Sequence, residues 1–194
     1  GGYLLAGYSN SNIYGDKTEG NRGNNDYWVI KIDAFGTKVW DKRFGGTQDD
    51  YCNDVILTPD GGYLLVGNSS SGANGDKSAI NYGSSDYWAV KIDGNGAKVW
   101  DKRFGGSADD WCFSAIAAAD GGYVLAGQSL SGAGGDKSEV SRGGSDYWAV
   151  KVDAKVPTVF RGEPVSHLTT HAPLTPGAWP SRCLLFVSAG ETSQ

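Results

Sequence analysis

Methionine is absent from the 194 residues, and histidine and cysteine number only two and three. Both histidines, His167 and His171, fall late in the chain, so the first 153 residues contain no imidazole. That excludes Ser-His-Asp, Cys-His and histidine-metal constellations from most of the sequence. Positive charge is also short. Seventeen Lys and Arg face 22 Asp and Glu, a net charge of −5, and the basic footprint of a nucleic-acid binder is missing. No apolar run approaches the roughly 18 residues of a membrane-spanning helix, so neither nucleic acid nor membrane insertion is expected. No segment repeats its apolar residues with a helical period, and almost no helix is expected. What the chain has instead is glycine, 30 residues, and aromatics, 12% with seven Trp and ten Tyr. Such a composition favours short strands joined by tight turns.

The chain repeats itself. Gly-Gly-Tyr recurs at Gly1, Gly61 and Gly121, a spacing of 60 residues. Residues 61–120 match residues 1–60 at 34 positions of 60, and residues 121–153 match 61–93 at 22 of 33, without insertion or deletion. Each copy carries Gly-Asp-Lys (15–17, 75–77, 135–137), Asp-Tyr-Trp (26–28, 86–88, 146–148) and Lys-x-Asp (31–33, 91–93, 151–153). The first two continue into Lys-Val-Trp-Asp-Lys-Arg-Phe-Gly-Gly (38–46, 98–106), an Asp-Asp pair and a Cys. The repeat segment is read as residues 1–154, with copies 1–60, 61–120 and a truncated 121–154.

Residues 155–194 read differently. They hold five of the six prolines and both histidines, and from Val156 onward no Asp, Asn, Tyr or Lys. This Pro-rich tail is expected to be unrelated to the repeats and irregular or disordered, as a frameshift or a join to foreign sequence would produce. Sequencing the source DNA across the codons for Asp153 to Pro157 tests that. With Gly1 starting in mid-pattern, the chain reads as a fragment of a larger protein. His167 and His171 stand four apart, but the prolines around them oppose the helix that would align them on a metal.

Four strands fit each copy. In the most complete one they are Cys52–Thr58, Tyr63–Gly67, Asp86–Asp93 and Lys98–Phe104, with turns at Pro59-Asp60-Gly61-Gly62 and Gly94-Asn95-Gly96. Alternation places Trp88, Val90 and Ile92 on one face of the third strand and Tyr87, Ala89 and Lys91 on the other. On the fourth, Trp100 and Phe104 oppose Asp101 and Arg103. A long polar loop, roughly Ser69 to Ser85, joins the second and third strands. Short four-stranded antiparallel units at this period are the pattern of a β-propeller. The expected fold is therefore all-β, an open arc of roughly three blades that supplies three, four and three strands in turn.

The stretch Phe104-Gly-Gly-Ser-Ala-Asp-Asp-Trp-Cys-Phe-Ser-Ala-Ile, followed by Asp120-Gly-Gly-Tyr-Val-Leu-Ala-Gly, resembles the bacterial β-propeller repeats of secreted and cell-surface proteins. The hairpin Val90-Lys-Ile-Asp to Gly96-Ala-Lys-Val-Trp is similar to that of quinoprotein-type propellers. The resemblance covers about residues 1–154. It implies an extracellular or cell-surface location and neighbouring blades of the same parent protein as partners. It implies no particular activity, because propellers host many.

In an up-and-down blade the long polar loops and the Gly-Gly-x-x-Asp-Asp connections emerge on one rim. That rim collects Asp16, Asp76, Asp136, Asp49, Asp50, Asp109 and Asp110. Two readings stand: Asp, Asn, Ser and Gly serve as turn formers, or the oxygens hold Ca²⁺ or a glycan or protein ligand. No spacing matches a known calcium loop. Asp49/Asp50 and Asp109/Asp110 are also the only paired carboxylates available for glycosidase chemistry, although recurrence in successive copies speaks for structure. Trp28, Trp88 and Trp148, like Trp40 and Trp100, and Tyr51 and Trp111, sit where blade-to-blade core is expected rather than a sugar platform. Cys52 and Cys112 hold equivalent positions too far apart for a disulfide and read as buried hydrophobes; Cys183 is left unpaired. The functional expectation is a structural or binding module, non-catalytic in itself, with part of a propeller-containing carbohydrate-active enzyme as the alternative.

Overall fold

The computed structural model describes residues 1–153. The expectations for residues 155–194, including His167, His171 and Cys183, lie outside the described residues. Ten strands are present and, among the described residues, no helix. They are β1 (Tyr3–Ser9), β2 (Asp26–Ile32), β3 (Lys38–Phe44), β4 (Asp50–Leu57), β5 (Tyr63–Ser69), β6 (Asp86–Ile92), β7 (Lys98–Phe104), β8 (Asp110–Ala117), β9 (Tyr123–Ser129) and β10 (Asp146–Val152). They form three antiparallel sheets, β1-β2-β3, β4-β5-β6-β7 and β8-β9-β10. The distribution of three, four and three strands is the one the repeat arithmetic gives.

The turns arise from local chemistry. The Thr58 carbonyl accepts the Gly61 N–H at 2.9 Å, and Gly61 takes φ of 80°, a conformation that costs glycine nothing. Asp93 closes the β6–β7 turn by accepting the N–H groups of Asn95 and Ala97 at 2.8 and 2.9 Å.

Alternation then sorts side chains into two joints. Trp88, Val90 and Ile92, with Tyr63, Leu65 and Cys52, face the first sheet and pack on Tyr27, Val29 and Phe44. The opposite face, Leu64, Val66, Tyr87, Ala89 and Phe104, packs on Leu125, Trp148, Val150 and Val152 of the third sheet. The middle sheet is thus buried on both faces. The two joints are the same joint twice. Tyr27 lies 4.9 Å from Trp88 between ring centroids, and Tyr87 lies 4.9 Å from Trp148. Each tyrosine hydroxyl donates to the facing tryptophan's carbonyl at 2.9 Å.

Alternation misses the irregularities. Register slips at Asn53 between Cys52 and Asp54, and again between Cys112 and Ser114. A second slip in β3 and β7 leaves Val39 and Val99 without a pairing partner and exposed. A bulge inserts one residue, bends the strand and re-aims the side chains beyond it. Here the bend in β4 carries Asp54 to the third sheet, where it accepts the Ser114 hydroxyl at 3.0 Å and the Ala115 N–H at 2.9 Å.

Candidate functional site: the loop rim and the joints between sheets

The Gly-Asp-Lys loops carry the densest polar chemistry, and each of their residues has a separate task. Gly75 has φ of 61° and lies so close to the Gly45 carbonyl that a Cβ would collide with it. That approach lets the Asp76 N–H donate to the Gly45 carbonyl at 2.9 Å. The Asp76 carboxylate then accepts the Gly45 N–H at 3.2 Å and the Arg43 guanidinium at 2.8 Å, with Arg22 at 2.9 Å. The next joint repeats the clasp: Asp136 accepts Arg103 at 2.7 Å and the Gly105 N–H at 3.2 Å. Asp16 is the same residue without a preceding sheet, and its side chain is exposed.

The lysine turns the other way, into its own loop. Lys77 is buried, and its ammonium donates to the Ser71 and Ala79 carbonyls at 3.0 and 2.8 Å and to Asn81 Oδ1 at 2.5 Å. Burial pushes its pKa down to about 8, against the pull of Asp86 and Asp50. Lys17 and Lys137 are buried at the equivalent positions, on the Ser11 and Ser131 carbonyls. A side-chain ammonium therefore sits inside each loop's cage of oxygens.

The Asp-Asp pairs divide their labour as well. Asp50 is completely buried and accepts the Gly46 N–H at 2.8 Å and the Ser71 hydroxyl at 2.9 Å. Asp110 does the same with Gly106 at 2.7 Å and Ser131 at 2.9 Å. Asp49 lies nearer the surface and accepts the Asn25 side-chain amide at 2.8 Å. In the next copy Asn24 and Asn25 become Ser84 and Ser85, and Oδ1 of Asp109 is buried without a hydrogen-bond partner. Burial pushes Asp50 above the usual carboxylate range, while the Asn25 amide holds Asp49 below it. Carboxyls tuned apart in this way are what an acid–base pair requires. Here, however, the raised member faces backbone N–H groups inside the joint, with no route for a substrate.

The candidate rim residues are thus dispersed rather than convergent. Asp76 and Asp136 lie in clasps between sheets, Asp50 and Asp110 beneath the strand starts, and Asp16 in solvent. Among the described residues, no group of three His, Cys, Asp or Glu side chains comes close enough to hold a metal ion. An open groove of about 510 Å³ beside β3 is lined by Arg22, Lys42, Arg43 and Lys98. Every one of these cations is paired: Arg22 and Arg43 with Asp76, Lys42 with Glu19 at 3.1 Å, Lys98 with Asp101 at 2.8 Å.

Several residues that recur in the repeat have roles that the motifs alone do not announce. Asp26 and Asp86 open the equivalent strands β2 and β6, fully buried, and accept the Arg22 and Tyr82 N–H groups at 2.7 Å. Burial raises Asp86 to about 6. Asp41 and Asp101 accept the indole N–H groups of Trp28 and Trp88 at 3.2 and 3.1 Å. An aspartate in the interior of a strand goes against β-propensity, and its recurrence in both copies was the available signal. Cys52 and Cys112 are free and buried, and burial pushes Cys52 up to about 12. Compared with family models and with curated proteins, the chain matches none.

Proposed function

We propose that this chain is a structural and binding module, a run of β-propeller blades that is non-catalytic in itself and belongs to a larger secreted or surface-attached protein. The observation that carries this reading is the joint that occurs twice. The same tyrosine-on-tryptophan contact, the same arginine-aspartate clasp and the same buried lysine recur 60 residues apart. Carboxylates that recur in bracing roles are structural members, whereas an active site needs a pair that is unique and accessible. The radial arrangement of a propeller is supported by where the backbones approach most closely. Those contacts involve the first strands of the units, β4 against β1, β2 and β8, and β8 against β5 and β6. Sheets that converge on one side and spread on the other are wedges of a ring. The secreted or cell-surface assignment rests on the sequence resemblance.

The candidate interaction face is the loop rim. Copies 1 and 2 agree at only 6 of the 16 loop positions 10–25 and 70–85, and the shared ones include the Gly, Asp, Lys and Asn of the clasp and cage. Between those fixed points the loops present exposed Ile13, Tyr14, Ile80, Tyr82 and Val140. A constant frame with variable, partly apolar tips is how a scaffold presents a binding surface. A glycan array with the intact chain is expected to show retention through the loops, abolished by replacing Tyr14 and Tyr82 with Ala. Hydrolysis assays on the same glycans are expected to show no turnover. Turnover that disappears in Asp49→Asn and Asp109→Asn, with the fold retained, would instead establish the carbohydrate-active enzyme.

A further inference from the structure

The sequence holds two Asn-Gly dipeptides, Asn74-Gly75 and Asn95-Gly96. An asparagine followed by glycine is open to attack by the next main-chain nitrogen, because glycine has no Cβ to shield it. The repeat needs neither asparagine: Tyr14 and Gly134 stand at the place of Asn74, and Phe35 at the place of Asn95.

The structure sets the two in opposite circumstances. Asn74 is held from both ends. Its Oδ1 accepts the Thr47 N–H at 2.8 Å, in the connection from β3 to β4. Its own N–H donates to the Gly72 carbonyl at 2.9 Å, and its carbonyl accepts the Lys77 N–H at 3.0 Å. Gly75 is wedged against the Gly45 carbonyl. Asn95 instead stands exposed in the β6–β7 turn, at the position where Phe35 is 94% exposed. Its N–H donates to Asp93, but its side-chain amide has no hydrogen-bond partner among the described residues. One bond restrains the Gly96 nitrogen, its donation to the Asp93 carbonyl at 3.1 Å. A turn at the surface opens such a bond without global unfolding.

We propose that Asn95 is a site of spontaneous covalent modification, deamidation through a cyclic imide, and that the joint between sheets protects Asn74 from the same reaction. The Gly96 nitrogen loses its proton to solvent base and attacks Cγ of Asn95. The new C–N bond closes the ring, the Cγ–Nδ2 bond breaks, and Nδ2 leaves as ammonia with a proton from water. Water then opens the imide. Addition at Cγ breaks the new bond and leaves aspartate. Addition at the main-chain carbonyl carbon breaks the original peptide bond and leaves isoaspartate, whose main chain runs through Cβ and Cγ. Water is the only co-reactant.

The change falls where two sheets meet. Asn95 and Gly96 line the groove beside β3 with Arg22, Lys42, Arg43 and Lys98, so either product places a carboxylate among these cations. Gly96 rests on the first sheet, where a Cβ would lie 2.9 Å from Lys42 Cγ and 3.3 Å from the Trp40 ring. Isoaspartate alone also lengthens the turn by one main-chain atom, between the N–H groups of residues 95 and 97 that Asp93 gathers.

The full chain is incubated folded and in urea, at mildly acidic and mildly alkaline pH, then mapped by proteolysis and mass spectrometry. Circular dichroism checks that the folded sample stays folded. There the Asn95 peptide is expected to convert to aspartate and isoaspartate, faster at the higher pH because the attacking nitrogen must lose a proton. The Asn74 peptide is expected to stay intact until urea exposes it. Asn95→Gln cannot close the same ring and is expected to abolish conversion at that position. The isoaspartate fraction is expected to melt below Asn95→Asp, which carries the charge without the longer turn. A folded Asn95 that keeps its amide, a folded Asn74 that converts as fast, or aspartate without isoaspartate would each overturn the proposal; equal melting would overturn the effect on the joint.

Discussion

Tyr27 and Tyr87 do the same work in different joints: a buried ring against tryptophan and one hydrogen bond to a carbonyl across the sheets. Tyr27→Phe and Tyr87→Phe each remove that hydrogen bond and are expected to cost about 1 kcal/mol. Tyr147→Phe is expected to cost nothing, because its ring is half exposed. Urea denaturation of the three variants measures this, and unequal losses at Tyr27 and Tyr87 would argue against equivalent joints. Asp86 gives a pH signature. Burial raises its pKa to about 6, so the folded state holds the proton more tightly than the unfolded chain does. Its contribution to stability is therefore full below about pH 4 and is lost as pH rises through about 6. Asp41 acts with the opposite sign. Burial would raise it, but bonds from Thr18, Trp28 and Lys38 outweigh that and hold it at about 2, so its contribution is lost as pH falls from about 4 toward 2. Denaturation of Asp86→Asn across pH 4–6 is expected to lessen the decline seen in the parent, to which the raised carboxyls of Asp26 and Asp50 also contribute, and an unchanged profile would contradict the assignment. Sequence marked the Gly-Asp-Lys and Asp-Asp positions because they recur, but not their partners. The clasp of Asp76 to Arg43 spans 33 residues and two sheets, and only the packed joint brings the two together.

At the scale of elements, strands and turns were legible because they are local. Period-two alternation and the turns at Pro59-Asp60-Gly61-Gly62 and Gly94-Asn95-Gly96 sufficed for β5, β6 and β7 to within two residues. The bulges were not legible: an extra residue looks like any other strand residue until its neighbour's register is known. They are nevertheless what lets β4 reach the third sheet through Asp54. Glycines within strands report on the same crowding. A Cβ on Gly67 would run into the Tyr51 carbonyl and lie 2.8 Å from the Tyr27 hydroxyl; on Gly127 it would meet the Trp111 carbonyl and lie 2.7 Å from the Tyr87 hydroxyl. Gly7, the same residue in the first copy, has open space there. Gly67→Ala and Gly127→Ala are expected to cost about 1–3 kcal/mol or more through overpacking. Gly7→Ala should be neutral or slightly stabilising, since a strand glycine carries an entropic cost. Thermal denaturation separates the cases, and equal shifts at all three would mean that the copies are not packed as described.

Across the whole molecule, stability is expected to be graded. Sheets stacked by nearest-neighbour joints behave as a short one-dimensional array, in which the member with two neighbours is held most firmly. The middle sheet is buried on both faces, and every residue of β5 and β6 is buried. In β1 and β3 most positions are open or half-open. The scaffold reading depends on this arrangement, because it makes the joint, rather than any single sheet or any acidic cluster, the thing the repeat encodes. Native-state amide hydrogen exchange tests it most directly. The account predicts that amides of β5 and β6 exchange slowest, through global unfolding, while those of the first sheet exchange through lower-energy openings. Protection that is uniform across the three sheets, or greatest in the first or third, would contradict it.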